Sequence, residues 1–221
     1  SSCKKIFTSK MPPIKTIIFD IGGVLLNIHP EKTFGFWANI TGLSLNKLQK
    51  SIPWDLHSLY ETGKLDDFQF YSAVNNLLPK DNKISVEDFW YGWKLLLGNE
   101  TPAVDLLESL YKTIPVWLLS NTNPWHVGFL QSSNEYRFHS LIKGAIYSYE
   151  VGYQKPDMDI YTITLDRIGI SGRNVVFIDD NEDNVSAART LGMNAVIYEG
   201  VQKLIKSLEK FKIPINNSVL I

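Results

Sequence analysis

Four groups of polar residues in this sequence each follow an apolar run, and together their side chains could act on a phosphate group. The groups are Asp20, Ser120-Asn121, Lys155 and Asp179-Asp180. A carboxylate can attack phosphorus and form an aspartyl-phosphate. Carboxylates brought together need a cation, and hard oxygen ligands favour Mg²⁺. Because lysine and hydroxyl groups stabilise charge on phosphate oxygens, the set as a whole suits phosphoryl transfer.

The apolar runs that precede these groups have the composition of buried strands. They cover residues 16–19, 115–119, 174–178 and 195–198, with a weaker run at 144–147. Helical patterns lie between them or after them, at residues 101–112, 158–168, 182–191 and 201–211. Strands that alternate with helices predict an α/β fold with a Rossmann-like parallel sheet. Ligands of such sheets bind beyond the carboxyl ends of the strands, where the polar groups stand.

Residues 28–100 have a different pattern, because no buried strand is evident there. Short helices are predicted at residues 44–50, 54–60, 66–78 and 85–97, and twelve of the chain's 27 aromatic residues fall in this segment. We therefore predict an inserted helical domain at 28–100. The core domain is then built from residues 14–27 and 101–221, and residues 1–13 form an N-terminal arm.

The overall composition narrows the classes of function. The net charge of −1 provides no excess of positive charge for binding nucleic acid or an anionic membrane. No apolar run approaches the roughly 18 residues of a membrane span, and residues 1–10 lack the apolar centre of a signal peptide. Since the single Cys3 cannot form an internal disulfide, we expect a cytoplasmic protein. We also expect a monomer or homodimer that acts on a small molecule.

Each polar group taken alone also has a purely structural explanation. Asp20 before two glycines is typical of a turn, Ser120-Asn121 of a helix cap, and Lys155-Pro156 of an exposed loop. The Asp179-Asp180 pair could cap the next helix. Their joint order, each at or after the end of a predicted strand, favours a shared site.

Four segments of the chain resemble, in order, the four motifs of the haloacid dehalogenase superfamily. They are Asp20-Ile21-Gly22-Gly23-Val24, Ser120-Asn121, Lys155-Pro156 and Asp179-Asp180. The resemblance extends over about residues 14–200, and the segment 28–100 lies where that superfamily carries its helical C1 cap. Residues 60–66, 119–123 and 177–184 are also similar to the branch of bacterial α-D-glucose-1-phosphate phosphatases. The resemblance implies a Mg²⁺-dependent hydrolase of phosphate esters.

The resemblance also implies a role for each motif residue. Asp20 would be the nucleophile and a metal ligand, and the backbone carbonyl of Gly22 would be a second ligand. Asp180 would bind the metal directly and Asp179 through water.

The remaining motif residues would hold the substrate. Ser120 and the amide of Asn121 would bind the phosphoryl group, and Gly23 would lie against the substrate beside them. Lys155 would neutralise the nucleophile and the phosphate.

The sequence departs from the superfamily's commonest pattern at Gly22. Most of its phosphatases have a second Asp there, which acts as general acid and then as general base, and the loss of such a group typically costs 10²–10⁴-fold in rate. His29 could replace it, although a residue at the start of a helix before Pro30 is the more ordinary interpretation. A sugar anomeric oxygen leaves more easily than a plain alkoxide, which favours an anomeric phosphate ester such as α-D-glucose 1-phosphate.

The segment 28–100 should select the substrate. Trp54, Glu61 and Trp93 are candidates for sugar contacts, because aromatic faces pack on sugar rings and carboxylates bind hydroxyl groups. The same large side chains could instead form the core of a small helical domain.

Three other activities are compatible with parts of the pattern. A 2-haloacid dehalogenase uses the same aspartate on carbon without a metal, which agrees with Gly22 but leaves Asp179-Asp180 unexplained. A phosphomutase relies on the Asp that is missing. A catalytically weak phosphate-binding or regulatory protein would also agree with Gly22, but it would have no need for the nucleophile Asp20.

Overall fold

The computed structural model describes residues 11–215. Cys3 and most of the predicted arm, 1–13, lie outside the described residues. In chain order the strands are β1 (Thr16–Phe19), β2 (Leu26–Ile28), β3 (Leu97–Glu100), β4 (Val116–Ser120), β5 (Gly144–Tyr147), β6 (Val175–Asp179) and β7 (Asn194–Ile197). The helices are α1 (Pro30–Thr41), α2 (Leu45–Ser51), α3 (Trp54–Glu61), α4 (Asp67–Leu77), α5 (Val86–Lys94), α6 (Ala103–Leu110), α7 (Pro124–Ser132), α8 (Ser148–Val151), α9 (Met158–Ile168), α10 (Glu182–Thr190) and α11 (Val201–Lys210).

A parallel sheet in the order β5-β4-β1-β6-β7 forms the centre of the fold. Its central strand β1 is apolar on both faces, because Ile17 and Phe19 pack on one side and Ile18 on the other. Helices α6, α7 and α11 cover the first face, and α9 and α10 cover the second. The predicted Rossmann-like α/β fold is thus confirmed, and each strand of this sheet lies within one residue of its predicted position.

Helices α1–α5 lie between β2 and β3, and we call residues 29–96 the helical insertion. An aromatic cluster forms its centre: Trp37 stacks on Phe89 with ring centroids 4.7 Å apart, and Tyr60 stacks on Phe70 at 4.1 Å. Strands β2 and β3 pair antiparallel at its base, with Ile28 opposite Leu97.

The predicted helix 85–97 is wrong at its end. Helix α5 ends at Lys94, and Leu97 begins β3. Strands of three and four residues are too short to show an alternating pattern, so the β2–β3 ribbon has no clear sequence signal. Helix α1 begins at Pro30, in agreement with a helix start after His29, although no helical segment was predicted there. Proline in the first turn marks the start, and His29 makes no side-chain capping hydrogen bond.

Among the described residues, no helix combines the length and the hydrophobicity needed to cross a bilayer.

Candidate active site

The polar groups meet because the strands that carry them are in register. Phe19 pairs with Leu118 on one side and Ile178 on the other. The residues that follow, Asp20 after β1 and Asp179 at the end of β6, therefore emerge at the same edge of the sheet. The backbone N–H of Ile21 donates to Asp20 Oδ1 at 2.7 Å, which orients this carboxylate.

Lys155 connects the carboxylates of two strands. Its buried Nζ lies 2.9 Å from Asp20 Oδ1 and 2.5 Å from Asp179 Oδ2, and it donates to the carbonyl of Leu119 at 3.1 Å. The side-chain amide of Asn121 fixes the loop that carries Lys155. Asn121 Oδ1 accepts from the Lys155 N–H at 2.7 Å, and Asn121 Nδ2 donates to the Lys155 carbonyl at 2.9 Å.

Three carboxylates gather at this edge, and we call Asp20, Asp179 and Asp180 the carboxylate cluster. Each offers an oxygen, and these oxygens lie within 4.8 Å of one another. Asp179 is already saturated: it accepts from Lys155, from the Asn181 N–H and from Asn184 Nδ2. Asp20 and the exposed Asp180 are therefore the carboxylates available to bind a cation directly, and the all-oxygen donor set fits a hard divalent ion.

Electrostatics at this edge also indicate a place for a cation. Burial, opposed by Lys155 and reinforced by Asp179, raises the pKa of Asp20 to about 7. Burial and Asp179 raise the pKa of Asp180. Burial opposes the charge of Lys155, but Asp20 and Asp179 outweigh it and raise its pKa. One lysine thus faces three carboxylates, and a divalent cation would relieve the repulsion between them.

Gly23 has a steric role at the cluster. Its φ is +78°, and a Cβ on it would lie 2.2 Å from Asp180 Oδ2. Its N–H donates to the Leu26 carbonyl at 2.8 Å, so that group closes the turn after β1. The glycine therefore leaves the space that the Asp180 carboxylate occupies.

Beside the cluster is a cavity of about 380 Å³, which we call the apolar cavity. Gly22, Ser120 and Asn121 line the end nearest the cluster, and residues of the helical insertion line most of the rest. A Cβ on Gly22 would meet only the Ile28 side chain, at 3.4 Å, so no residue of the turn fills the place of the missing acid. Ser120 is buried and forms the last residue of β4.

The insertion brings the predicted residues Trp54 and Glu61 to this cavity in different settings. Trp54 is 68% exposed and packs at 5.1 Å, ring to ring, against His57. Glu61 is buried, and its Oε1 lies 3.5 Å from His57 Nε2. Burial, opposed by Lys155 and reinforced by Asp20, raises the pKa of Glu61 to about 7. Since burial lowers the pKa of His57 to about 4, this imidazole is neutral near pH 7.

His29 and Trp93 are also placed by the structure. His29 precedes α1, is 3.1 Å from Glu31 through Nδ1, and does not line the apolar cavity. Trp93 lines the cavity but is buried, and it stacks on His126 with ring centroids 5.0 Å apart.

Two residues of the candidate site, Asn184 and His57, were not predicted from the sequence. Asn184 binds both oxygens of Asp179, and its signal lies in its position five residues after that carboxylate, at the start of α10. His57 lies one helical turn before Glu61, a spacing that places both on one face of α3.

Comparison with known proteins agrees with this arrangement. The haloacid dehalogenase-like hydrolase family matches residues 14–192. The chain belongs to this family. The prediction of a hydrolase of the haloacid dehalogenase superfamily is therefore confirmed.

Three proteins of known sequence or structure are similar to this hydrolase. A D-ribitol-5-phosphate phosphatase of Bacteroides thetaiotaomicron is 27% identical over 187 residues, 81% of this chain and 89% of its own. A sesquiterpene phosphatase of Aspergillus oryzae is 26% identical over 81% of this chain and 87% of its own. The haloacid dehalogenase family enzyme BT-2542 of B. thetaiotaomicron, crystallised with magnesium and inorganic phosphate, shares the fold with a TM-score of 0.76. It is 24% identical, over 85% of this chain and 95% of that one.

Proposed function

We propose that this hydrolase is a Mg²⁺-dependent phosphatase of small phosphomonoesters. The observation that carries the proposal is the Lys155 bridge between Asp20 and Asp179, beside an available Asp180. This arrangement puts a carboxylate nucleophile, a fixed cation and a cluster of hard oxygen ligands at one edge of the sheet. Phosphatases among the relatives support the same activity.

In the first step, one oxygen of Asp20 attacks phosphorus, and the bond between phosphorus and the alcohol oxygen breaks. The products are an aspartyl-phosphate and the alcohol, which takes up a proton from solvent water as it leaves. In the second step, water attacks the intermediate, releases inorganic phosphate and restores the Asp20 carboxylate. Lys155, held on Asp20 in the structure, favours the ionised form of the nucleophile against the effect of burial and would face the transferred group.

Asp20, Asp180 and the backbone carbonyl of Gly22 would hold Mg²⁺, and Asp179 would support it through water. When bound, the ion would neutralise charge on the phosphate oxygens. Ser120 and the amide of Asn121 would bind the remaining oxygens, since both residues line the cavity end beside the cluster.

Residues 28–100 would act as the cap over a core formed by 14–27 and 101–221. In this arrangement the insertion determines which alcohol can enter, with Glu61 and Trp54 as contacts. A cytoplasmic location and a monomeric or dimeric state remain predictions from the sequence.

A sugar phosphate such as α-D-glucose 1-phosphate is the first substrate to test. Its anomeric oxygen is a good leaving group, which is useful because Gly22 cannot supply a proton. The D-ribitol-5-phosphate phosphatase supports a polyol phosphate, whereas the sesquiterpene phosphatase supports a hydrophobic one.

The test is phosphate release from acetyl phosphate and a panel of phosphosugars, with Mg²⁺ or with EDTA. We expect Mg²⁺-dependent release that Asp20→Asn abolishes and that Asp166→Asn, an exposed control on α9, leaves intact. Release that survives EDTA or Asp20→Asn would refute the proposal. Metal-independent halide release from 2-chloropropionate would instead establish the dehalogenase alternative.

A further inference from the structure

The walls of the apolar cavity carry information about the organic group of the substrate. Beyond the end that faces the carboxylate cluster, the cavity is lined mainly by aromatic and aliphatic side chains. They include Phe34, Trp37, Phe70, Val74, Trp93 and Leu130. Five of these six are buried, four of them in the aromatic cluster of the insertion and Leu130 in the core.

Two polar residues on the core side of the cavity are already paired with their neighbours. Asn123 Oδ1 accepts from the His126 N–H at 2.9 Å and from Trp93 Nε1 at 3.4 Å. His126 Nε2 donates to the Trp93 carbonyl at 2.9 Å, and its Nδ1 accepts from Asn123 Nδ2 at 3.0 Å. These residues therefore offer little to a hydroxyl group of a ligand.

The remaining polar groups of the insertion are confined to one wall. Glu61 and His57 are neighbours on α3, and His57 Nδ1 has no hydrogen-bond partner among the described residues. This pair can satisfy one or two polar groups of a ligand. Even with the side chain of Thr122, which lines the core side of the cavity, it cannot satisfy the four or five hydroxyl groups of a sugar. Each hydroxyl buried without a partner costs about tenfold in affinity.

We propose that the alcohol part of the substrate is largely apolar, an aryl or branched aliphatic group with at most one or two polar groups. This inference rests on the proposed phosphatase function and specifies its substrate class. Burial of such a group against the aromatic walls is favourable, because it removes apolar surface from water. The cavity volume is within the range for small organic ligands.

The experiment compares kcat/KM for geranyl phosphate and 2-phenylethyl phosphate with that for D-ribitol 5-phosphate and α-D-glucose 1-phosphate, all with Mg²⁺. Acetyl phosphate reports the chemistry of the cluster independently of the alcohol. We expect the apolar esters to exceed both polyol esters by at least about 100-fold, the effect of two unpaired hydroxyls. Equal or better turnover of a polyol ester, with acetyl phosphate hydrolysed, overturns this inference but leaves the phosphatase intact.

If acetyl phosphate is not hydrolysed, the proposed function fails, and binding then decides the cavity inference alone. Calorimetry with 2-phenylethylphosphonate should give a Kd at least about tenfold lower than that of methylphosphonate. Equal affinities would overturn the inference.

A pair of variants tests the cavity wall itself. Ile52→Asn places an amide at the partly buried rim of the cavity, and Leu77→Asn places the same group on the exposed side of α4. We expect Ile52→Asn to lower the ratio of geranyl phosphate to acetyl phosphate turnover by about tenfold, whereas Leu77→Asn leaves it unchanged. The same ratio in both variants would contradict the proposal.

Discussion

At the carboxylate cluster, the charged groups of Lys155 and Asp179 are hydrogen-bonded to other groups of the protein. In the apolar cavity beside it, aromatic and aliphatic walls dominate, and Asn123 and His126 on the core side are paired with each other. The cluster is built from the ends of adjacent strands, whose register is fixed by backbone hydrogen bonds. The cavity lies between the core and helices of the insertion, whose positions depend on side-chain packing. The difference suggests that the reaction is set by the sheet and the choice of alcohol by the insertion.

The largest effect is expected from removing the positive charge of Lys155 beside the carboxylate cluster. Lys155→Met leaves Asp20 and Asp179 buried without their partner, so we expect kcat to fall by about 10³ or more. The free energy of unfolding should fall by about 3–5 kcal/mol, as when one partner of a buried ion pair is lost. Phosphate release and urea denaturation measure the two effects.

Lys203→Met is the matched control, because its ion pair with Glu199 is exposed. It should change neither quantity measurably. A stable and active Lys155→Met protein would mean that the bridge does not organise the cluster.

The next effect, at Gly23, distinguishes the loss of space for the Asp180 carboxylate from the cost of a positive φ. Gly23 and Gly152 both have positive φ, but only at Gly23 would a Cβ meet a carboxylate. We expect Gly23→Ala to raise the Mg²⁺ concentration for half-maximal activity by about 10–100-fold, the range for lost support around a metal ligand. Gly152→Ala should lose some stability only. Equal Mg²⁺ requirements in both variants would show that Asp180 is not a ligand.

A smaller effect is expected where cluster and cavity meet, at Gly22. The space beside Ile28 admits a side chain, so Gly22→Asp would place a carboxyl group at the position of the missing acid. We expect kcat for alkyl esters to rise about tenfold, at the lower end of acid–base catalysis because the site has not been optimised for it. Acetyl phosphate, which needs no proton donor, should gain little. An equal gain with Gly22→Asn would attribute the change to shape rather than to proton transfer.

The smallest effect concerns Glu61, a titratable residue in the wall of the cavity. The pKa of Glu61 is raised from 4.5 to about 7 in the folded protein, so the folded state binds more protons than the unfolded state between these values. Its contribution to stability is full below pH 4.5 and is lost as the pH rises through 7. Glu61→Gln should therefore reduce the loss of stability between pH 5 and pH 8 by about 1–3 kcal/mol.

Urea denaturation at the two pH values measures this difference, with Asp20 titrating in both proteins. Burial lowers the pKa of His57 from 6.5 to about 4, so the unfolded state binds the extra proton and His57 makes stability rise between pH 5 and about pH 6.5. Both proteins carry His57, so its effect cancels in the comparison. An unchanged dependence on pH would mean that Glu61 is ionised in the folded protein.

The sheet and the cluster were accessible from the sequence, because each signal is local. A buried strand such as β1 is one apolar run, and Asp20 follows it directly, so a parallel sheet brings such residues to one edge without further information. The position of Lys155 in a loop could be predicted for the same reason. The direct bonds of Asn121 to the backbone of Lys155 depend on a loop conformation that no run of residues encodes.

The cavity was less accessible, because its character depends on contacts between distant segments. Trp54 and Trp93 are the same residue type and were equal candidates for substrate contacts. Packing makes the first an exposed residue at the rim and the second a buried member of the aromatic cluster. The bond from His126 to the Trp93 carbonyl likewise joins residues 33 positions apart in the chain.

The β2–β3 ribbon brings the two chain connections of the insertion together, since Ile28 and Leu97 face each other across one pair of strands. A segment whose two ends are adjacent can be exchanged as a cassette without lengthening or shortening the chain around it. Grafting the corresponding segment of another hydrolase between Ile28 and Leu97 would keep the strand ends that carry Asp20 and Asp179 in place. The same carboxylate cluster could in this way be combined with new recognition surfaces.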